Sequence, residues 1–198
     1  MIEFVTQCSD IPYAIFKKKY DEALNADQKN VEAISISSYD KALNEVNSRF
    51  VNLKIIDDKE FIFFSNYMSP KSNEFKEHNQ VTVLIFWNTI NLQIRIKALI
   101  KKTSKEFNKN YFVNRSEKKN ALAISSYQSM QIDSYSKVVT NYNKALKLNS
   151  LKECPDYWGG YSFNPYYFEF WEGHESRLNK RDLYQLNNGE WYHSILQP

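Results

Sequence analysis

Apolar positions recur first at helical and then at strand spacing along the chain. Phe16, Tyr20 and Leu24, preceded by Asp10 and Pro12, predict a capped amphipathic helix whose basic residues Lys17 to Lys19 are solvated. A strand is expected over about Val31–Ser37, then a polar loop through Tyr39–Val46. Ser48–Asp57 alternates, with Arg49, Val51, Leu53 and Ile55 on one face and Phe50, Asn52 and Lys54 on the other. Asp57-Asp58-Lys59 turns the chain into Glu60–Asn66. There Phe61 to Phe64 are apolar on both faces, as inside a barrel or between layers. Glu74–His78 reads as a short helix, and Gln80–Asn88 and Leu92–Lys101 as a hairpin around Asn88–Asn91. Ser104 caps a helix carrying Phe107, Tyr111 and Arg115. A second helix, from Ser134 to about Asn149, puts Val138, Tyr142, Ala145 and Leu146 on one face. Asn164-Pro165 breaks the run before a strand over Tyr166–Trp171. Asp182–Leu186 and Trp191–Leu196 then pair across an Asn-Gly turn signal. The pattern predicts a mainly β fold with flanking helices (α+β). One domain is expected over 12–198, with 1–11 as a flexible N-terminal tail.

Composition changes this picture in several ways. A chain of 198 residues buries a sizeable core, and aromatics at 16% favour strands and ring-lined pockets. A net charge of only +3 demands neither nucleic acid nor a membrane surface, and no apolar run reaches the ~20 residues of a membrane helix. The start MIEFVTQCSD lacks a basic flank and apolar core, so no signal peptide is expected. Cys8 and Cys154, far apart, fit a reduced cytoplasmic protein. The four glycines, at 159, 160, 173 and 189, allow no Gly-rich phosphate loop, so side chains must grip any phosphate. His78, His174 and His193 form no ligand-spaced cluster, and no metal site is expected.

Candidate chemistry therefore rests on cations. Arg49 and Lys54 lie in a half-buried strand, where each needs an anion unless this is an edge strand with both heads in water. Tyr111 and Arg115 share one helical face and can close on one anion, or simply stack at the surface. Arg177 and Arg181 follow Trp171. Forked donors beside a flat ring suit a planar, anionic ligand, and the alternative is two solvated arginines. Gln93, on a strand, is by itself more often surface than ligand.

The stretch Glu169–Arg181, EFWEGHESRLNKR, resembles the E-F-W-Q-G-x-x-x-R-L-H-D-R signature of the pyridoxamine 5′-phosphate oxidase family. Further blocks agree in order. RFVNLK at 49–54 resembles R-x-V-L-L-K, and SNYMSPK at 65–71 resembles T-N-x-x-S-R-K. YFVNR at 111–115 resembles Y-F-x-x-R, and PDYWGGY at 155–161 resembles P-x-x-W-G-G-[FY], where two glycines turn the backbone into the last sheet section. The likeness spans about 12–198. It implies a homodimeric split β-barrel with flavin mononucleotide (FMN) at the subunit interface. It also implies oxidation of pyridoxine or pyridoxamine 5′-phosphate to pyridoxal 5′-phosphate, with O2 consumed and H2O2 released, and ammonia from the amine. By resemblance, Arg49, Phe50, Val51, Lys54, Phe64, Ser65, Lys71, Gln93, Gln128, Ser129, Trp171 and Arg181 serve FMN. Lys54, Tyr111, Arg115, Lys119, Arg177 and Asn179 serve the substrate, Arg177 and Asn179 next to the reacting carbon.

The departures from the family pattern are specific. Asn52 replaces an apolar residue, Pro70 an arginine, Lys119 a phosphate-binding serine, Ile124 a tryptophan and Asn179 a histidine. Pro70 predicts weaker FMN retention, and Asn179, which cannot carry a proton near neutral pH, a slower enzyme or altered substrate preference. Two other readings stay open: an FMN oxidase for a different small ring compound, and a non-catalytic binder of FMN or pyridoxal phosphate.

Overall fold

The computed structural model describes residues 1–148 and 150–198. Its strands are β1 (Glu3–Gln7), β2 (Ala33–Asp40), β3 (Glu45–Asp58), β4 (Glu60–Asn66), β5 (Gln80–Trp87), β6 (Leu92–Lys102), β7 (Trp158–Glu172), β8 (Lys180–Asn187) and β9 (Glu190–Ile195). The helices are α1 (Ile11–Asn25), α2 (Pro70–Glu77), α3 (Lys105–Asn114), α4 (Glu117–Ser125) and α5 (Tyr135–Ala145). Hydrogen bonding runs β3–β2–β5–β6–β7, and β4 pairs with both β7 and β3, closing a barrel.

Closure depends on β7. One edge of it pairs with β6 along most of its length. The other edge pairs with β4 from Trp158 to Phe163 and with β8 from Tyr167 to Glu172. The strand thus ends the barrel at one end and starts a β8–β9 extension at the other. Asn164-Pro165 does not break it, contrary to expectation. Lys97 faces Tyr167 and Ala98 faces Pro165, so Tyr166 is an extra residue in a bulge that absorbs the proline.

The core is aromatic because Phe61 and Phe63 of β4 point into the barrel toward Phe163 and Tyr161 of β7. Helix α1 lays Tyr13, Phe16 and Tyr20 over one end, with the Phe16 ring 5.1 Å from Phe61 and 5.7 Å from Trp87. Trp87 satisfies its buried indole by donating to the Val31 carbonyl at 3.1 Å.

Other boundaries moved for local reasons. Residues 3–7, expected in a free tail, form a parallel strand on β3, with Glu3 opposite Ile55. The loop expected over Tyr39–Val46 is mostly strand: β2 and β3 pair outward to Asp40↔Glu45, where the Asp40 carboxylate accepts from the Ala42 and Leu43 amides. Helix α2 starts at Pro70, whose missing N–H costs nothing in the first turn. Helix α4 had no periodic signal and was not anticipated. Ser104 caps α3 as read, accepting from the Phe107 amide, and Ser134, read only as a helix start, caps α5 by accepting from the Lys137 amide. Helix α5 ends at Ala145, and the expected end at Asn149 lies outside the described residues. Asn188 (φ 50°) and Gly189 (φ 86°) form the β8–β9 turn.

Gly159 and Gly160 admit other groups rather than extra backbone freedom. A Cβ on Gly159 would sit 2.3 Å from the Tyr67 hydroxyl and 2.4 Å from Asn108 Nδ2. Those atoms are bonded to each other, and the hydroxyl donates to the Gly160 carbonyl at 2.8 Å. Gly159→Ala is therefore expected to destabilise the fold by about 1–3 kcal/mol, read by urea unfolding. An unchanged midpoint would mean this network is not rigid.

Candidate active site

The barrel leaves a cleft of about 1010 Å³ between β3, the end of β4, the first turn of α2, the end of α3, α4 and the 128–129 segment. Twelve of the residues assigned above by resemblance line it: Arg49, Phe50, Val51, Lys54, Phe64, Ser65, Lys71, Tyr111, Arg115, Lys119, Gln128 and Ser129. Pro70 and Asn52 line it too.

One end is built around Lys71. Its ammonium is buried and donates only to neutral acceptors: Ser65 Oγ at 3.1 Å, Ser69 Oγ at 2.8 Å and Gln128 Oε1 at 3.1 Å. Burial, helped by the charge of Arg49 and opposed by Glu74, pushes its pKa down to about 8. Ser65 Oγ also donates to Gln128 Oε1, so Gln128 is tied to both groups. Ser129 follows with φ 69°, a left-handed conformation that turns the chain at the cleft wall. Arg49 reaches the same end from β3, donating to the Ser38 hydroxyl and, at 2.9 Å, to the buried carboxylate of Glu74.

The other end is built on Tyr111 in the last turn of α3 and on Arg115, which is the extended residue that ends the helix and not, as expected, a further helical position. Arg115 lies over the Trp158 ring, 4.3 Å from its centre, and its Nη1 is buried with no acceptor among the described residues. Burial lowers its pKa, opposed by Tyr111 and Cys154. Tyr111 stacks on Phe64, with centres 3.7 Å apart and planes 11° apart, and Phe64 stacks on Trp158 at 5.2 Å. Burial raises the Tyr111 pKa, so its hydroxyl keeps its proton and remains a donor. Lys54 is the extra residue of a β3 bulge, between Leu53↔Phe63 and Ile55↔Ile62, which re-aims its side chain. Its ammonium stands 3.6 Å from Glu32.

The remaining assigned residues do not line this cleft. Gln93, Trp171 and Arg181 form one row across β6, β7 and β8. Two strands separate β6 from β3, so along the sheet this row lies roughly 14 Å from β3. Arg181 is committed within the chain: Nε and Nη2 donate to Glu169 at 2.9 and 2.8 Å, and Nη1 to the Gln197 carbonyl at 2.9 Å. Glu169 is fully buried and also accepts from Tyr167 at 2.8 Å and Arg95 at 3.1 Å. Burial opposes its charge, but these donors hold the carboxyl below its ordinary pKa. Arg177 sits in the loop before β8 at φ 60°. Asn179 Oδ1 accepts from the His174 amide at 3.0 Å and so closes that loop.

Sequence reasoning missed Glu74 and Glu169. Glu74 lies in a short polar helix and carried no signal. Glu169 sits between Phe168 and Phe170, and pairing of the β6 and β7 patterns would have set Arg95 opposite it. No group of three or more His, Cys, Asp or Glu that could hold a metal occurs among the described residues, and none of the described helices is long and apolar enough to cross a membrane.

Residues 16–144 match the pyridoxamine 5′-phosphate oxidase family, and residues 158–198 match the pyridoxine 5′-phosphate oxidase C-terminal dimerisation region. A pyridoxine/pyridoxamine 5′-phosphate oxidase from Vesicomyosocius okutanii is 34% identical over 98% of this chain and 91% of its own. One from Aliarcobacter butzleri is 34% identical over 94% and 89%. PhzG from Burkholderia lata 383, solved with tetrahydrophenazine-1-carboxylic acid, has the same fold, with a TM-score of 0.87 at 24% identity over 94% of this chain and 92% of its own. A pyridoxamine 5′-phosphate oxidase-related, FMN-binding protein from Nostoc punctiforme does so at a TM-score of 0.76 and 11% identity, over 92% and 97%. With the barrel, the ordered motifs and these relatives in agreement, the chain belongs to the pyridoxamine 5′-phosphate oxidase family.

Proposed function

We propose that this protein is an FMN-dependent oxidase that converts pyridoxine 5′-phosphate and pyridoxamine 5′-phosphate to pyridoxal 5′-phosphate. It uses O2, releases H2O2, and frees ammonia from the amine. The observation that carries this is that one cleft holds two separate sets of desolvated cationic donors. Lys71 is buried among neutral partners, and Arg115 has a buried donor without an acceptor among the described residues. Two phosphate-bearing ligands, one cofactor and one substrate, answer both. An oxidase for an unphosphorylated ring compound, or a carrier of FMN alone, leaves the Arg115 end unexplained.

The donor set fits FMN. Lys71, Ser65, Gln128 and Arg49 would hold its phosphate, with the backbone of Phe50 and Val51 and the Phe64 ring along the flavin. When bound, FMN supplies the hydride acceptor and passes electrons to oxygen. The chain supplies position. Tyr111, Arg115, Lys54 and Lys119 would hold the substrate phosphate; Lys54 is shared between this set and FMN and would leave Glu32 to do so. Arg177 would lie against the pyridine ring and orient the reacting carbon, with Asn179 offering a neutral amide beside it. Small misplacements are costly in catalysis of this kind.

The row Gln93–Trp171–Arg181 and the Arg177 loop lie off the cleft, and residues 158–198 match a dimerisation region. Phe50 is 78% exposed and Phe86 56%, on a sheet face that needs covering. A homodimer in which one protomer supplies the cleft and its partner the C-terminal row satisfies both facts.

Three outcomes are expected. FMN-saturated protein should form pyridoxal phosphate and peroxide in equal amounts from either B6 phosphate; yellow protein yielding neither would reject the substrate. Arg115→Ala and Arg177→Ala should each be inactive, yet a random mixture of the two should recover about a quarter of wild-type turnover, since half the dimers carry one intact site of two. No recovery would place both arginines in one protomer's site. FMN affinity should rise as the phosphate loses its second proton around pH 6, be highest between there and about pH 8, and fall above it as Lys71 loses its proton. In Lys71→Met the decline above pH 8, measured by titration, should vanish.

A further inference from the structure

We propose that Glu74 is a positioning residue that aims Arg49 at the flavin phosphate while its own negative charge limits how tightly that phosphate is held. The inference rests on the reading of this cleft end as the FMN phosphate site. Glu74 stands on the second turn of α2 and is 4% exposed. Its carboxylate accepts from Arg49 Nη2 at 2.9 Å, from Asn47 Nδ2 at 3.3 Å and from the Ser38 hydroxyl. Arg49 Nη1 donates to the same Ser38 oxygen.

Each face of this arrangement has a consequence. A guanidinium offers five N–H donors in a fixed fork. Two are spent below the cleft floor, so the plane is locked and the others are left for the cleft that Arg49 lines. Without Glu74 the arginine would be free to turn about its stem. The same carboxylate also sits beside the anion site. Around it are Arg49 and Asn47 from β3, Ser38 from β2 and Lys71 from its own helix. Arg49 and Lys71 add two positive charges and Glu74 subtracts one, leaving +1 to meet a phosphate of about −1.5 to −2. Pro70 at the start of α2 lines the cleft and adds no charge. Orientation and restraint therefore come from one side chain.

A neutral isostere separates the two roles. In Glu74→Gln the amide oxygen still accepts from Arg49 and Ser38. The new NH2 meets Asn47, whose amide reverses to present its oxygen, so Arg49 stays aimed while a repulsive charge disappears. In Glu74→Ala the aim is lost as well. FMN and riboflavin affinities are measured for wild type and both variants by quenching of flavin fluorescence. Riboflavin lacks the phosphate and reports damage to the rest of the site. The expectation is FMN binding about tenfold tighter in Glu74→Gln and weaker than wild type in Glu74→Ala, with riboflavin unchanged in Glu74→Gln. Equal or weaker FMN binding in Glu74→Gln overturns the proposal, as does a parallel gain for riboflavin. Unfolding midpoints are recorded alongside. If Glu74→Ala does not fold, the Gln variant alone decides. Failure of wild type to bind FMN at saturation would instead overturn the assignment of the cleft.

Discussion

The divided pairing of β7 is the constraint on which the molecule depends. A strand has two edges, and β7 gives one to β6 and splits the other between β4 and β8. The first half brings β4 home to the barrel, which sets the end of β4 with Phe64 and Ser65 at the cleft. The second half carries the chain out to β8 and β9 and so displays Trp171 and Arg181 on a different surface. The bulge at Tyr166 falls between these halves, where a proline can sit without breaking a hydrogen bond that the sheet needs. Glycine at 159 and 160 matters for the same reason: the closing half runs directly against Tyr67, Asn108 and Thr103.

Charge is handled differently on the two surfaces. On the outer sheet, buried Glu169 is fully answered by Arg95, Arg181 and Tyr167. That network is complete in one chain and acts as structure. In the cleft, Lys71 and Arg115 are desolvated without a matching anion, which a fold tolerates only at a cost of a few kcal/mol. The contrast separates a structural ion cluster from a site prepared for a ligand, although both read in sequence as scattered arginines, lysines and glutamates.

Much of the barrel was legible because strands announce themselves by period and by their turns. Phe61 to Phe64, apolar on both faces, pointed to a strand inside a barrel, and Asn188-Gly189 marked the β8–β9 hairpin beyond it. What escaped depended on tertiary partners. The parallel pairing of residues 3–7 has no local signature, since its hydrogen bonds go to β3. Helix α4 bunches its apolar residues at 121–124, so they show no helical period, and only Asn120 and Ala121 are buried. For the site, motif order brought the cleft residues to mind by type, yet only the register showed that Gln93, Trp171 and Arg181 stand in a row apart from them. Lys54 could not be read as a bulge, because alternation continues through it in the sequence.

The buried ammonium of Lys71 has a consequence beyond binding. A cation enclosed by hydroxyls and an amide is a standing cost to the empty fold, and a bound anion removes it, so cofactor capture is also a folding event by mass action. Chains that have not yet met flavin then spend more time open than loaded ones. Proteases act on open chains, so cofactor supply would set how long each molecule survives as well as how fast it works. In such a protein the abundance of enzyme would follow the supply of its cofactor without a dedicated regulator, and the buried ammonium at the cleft wall would enlarge that dependence.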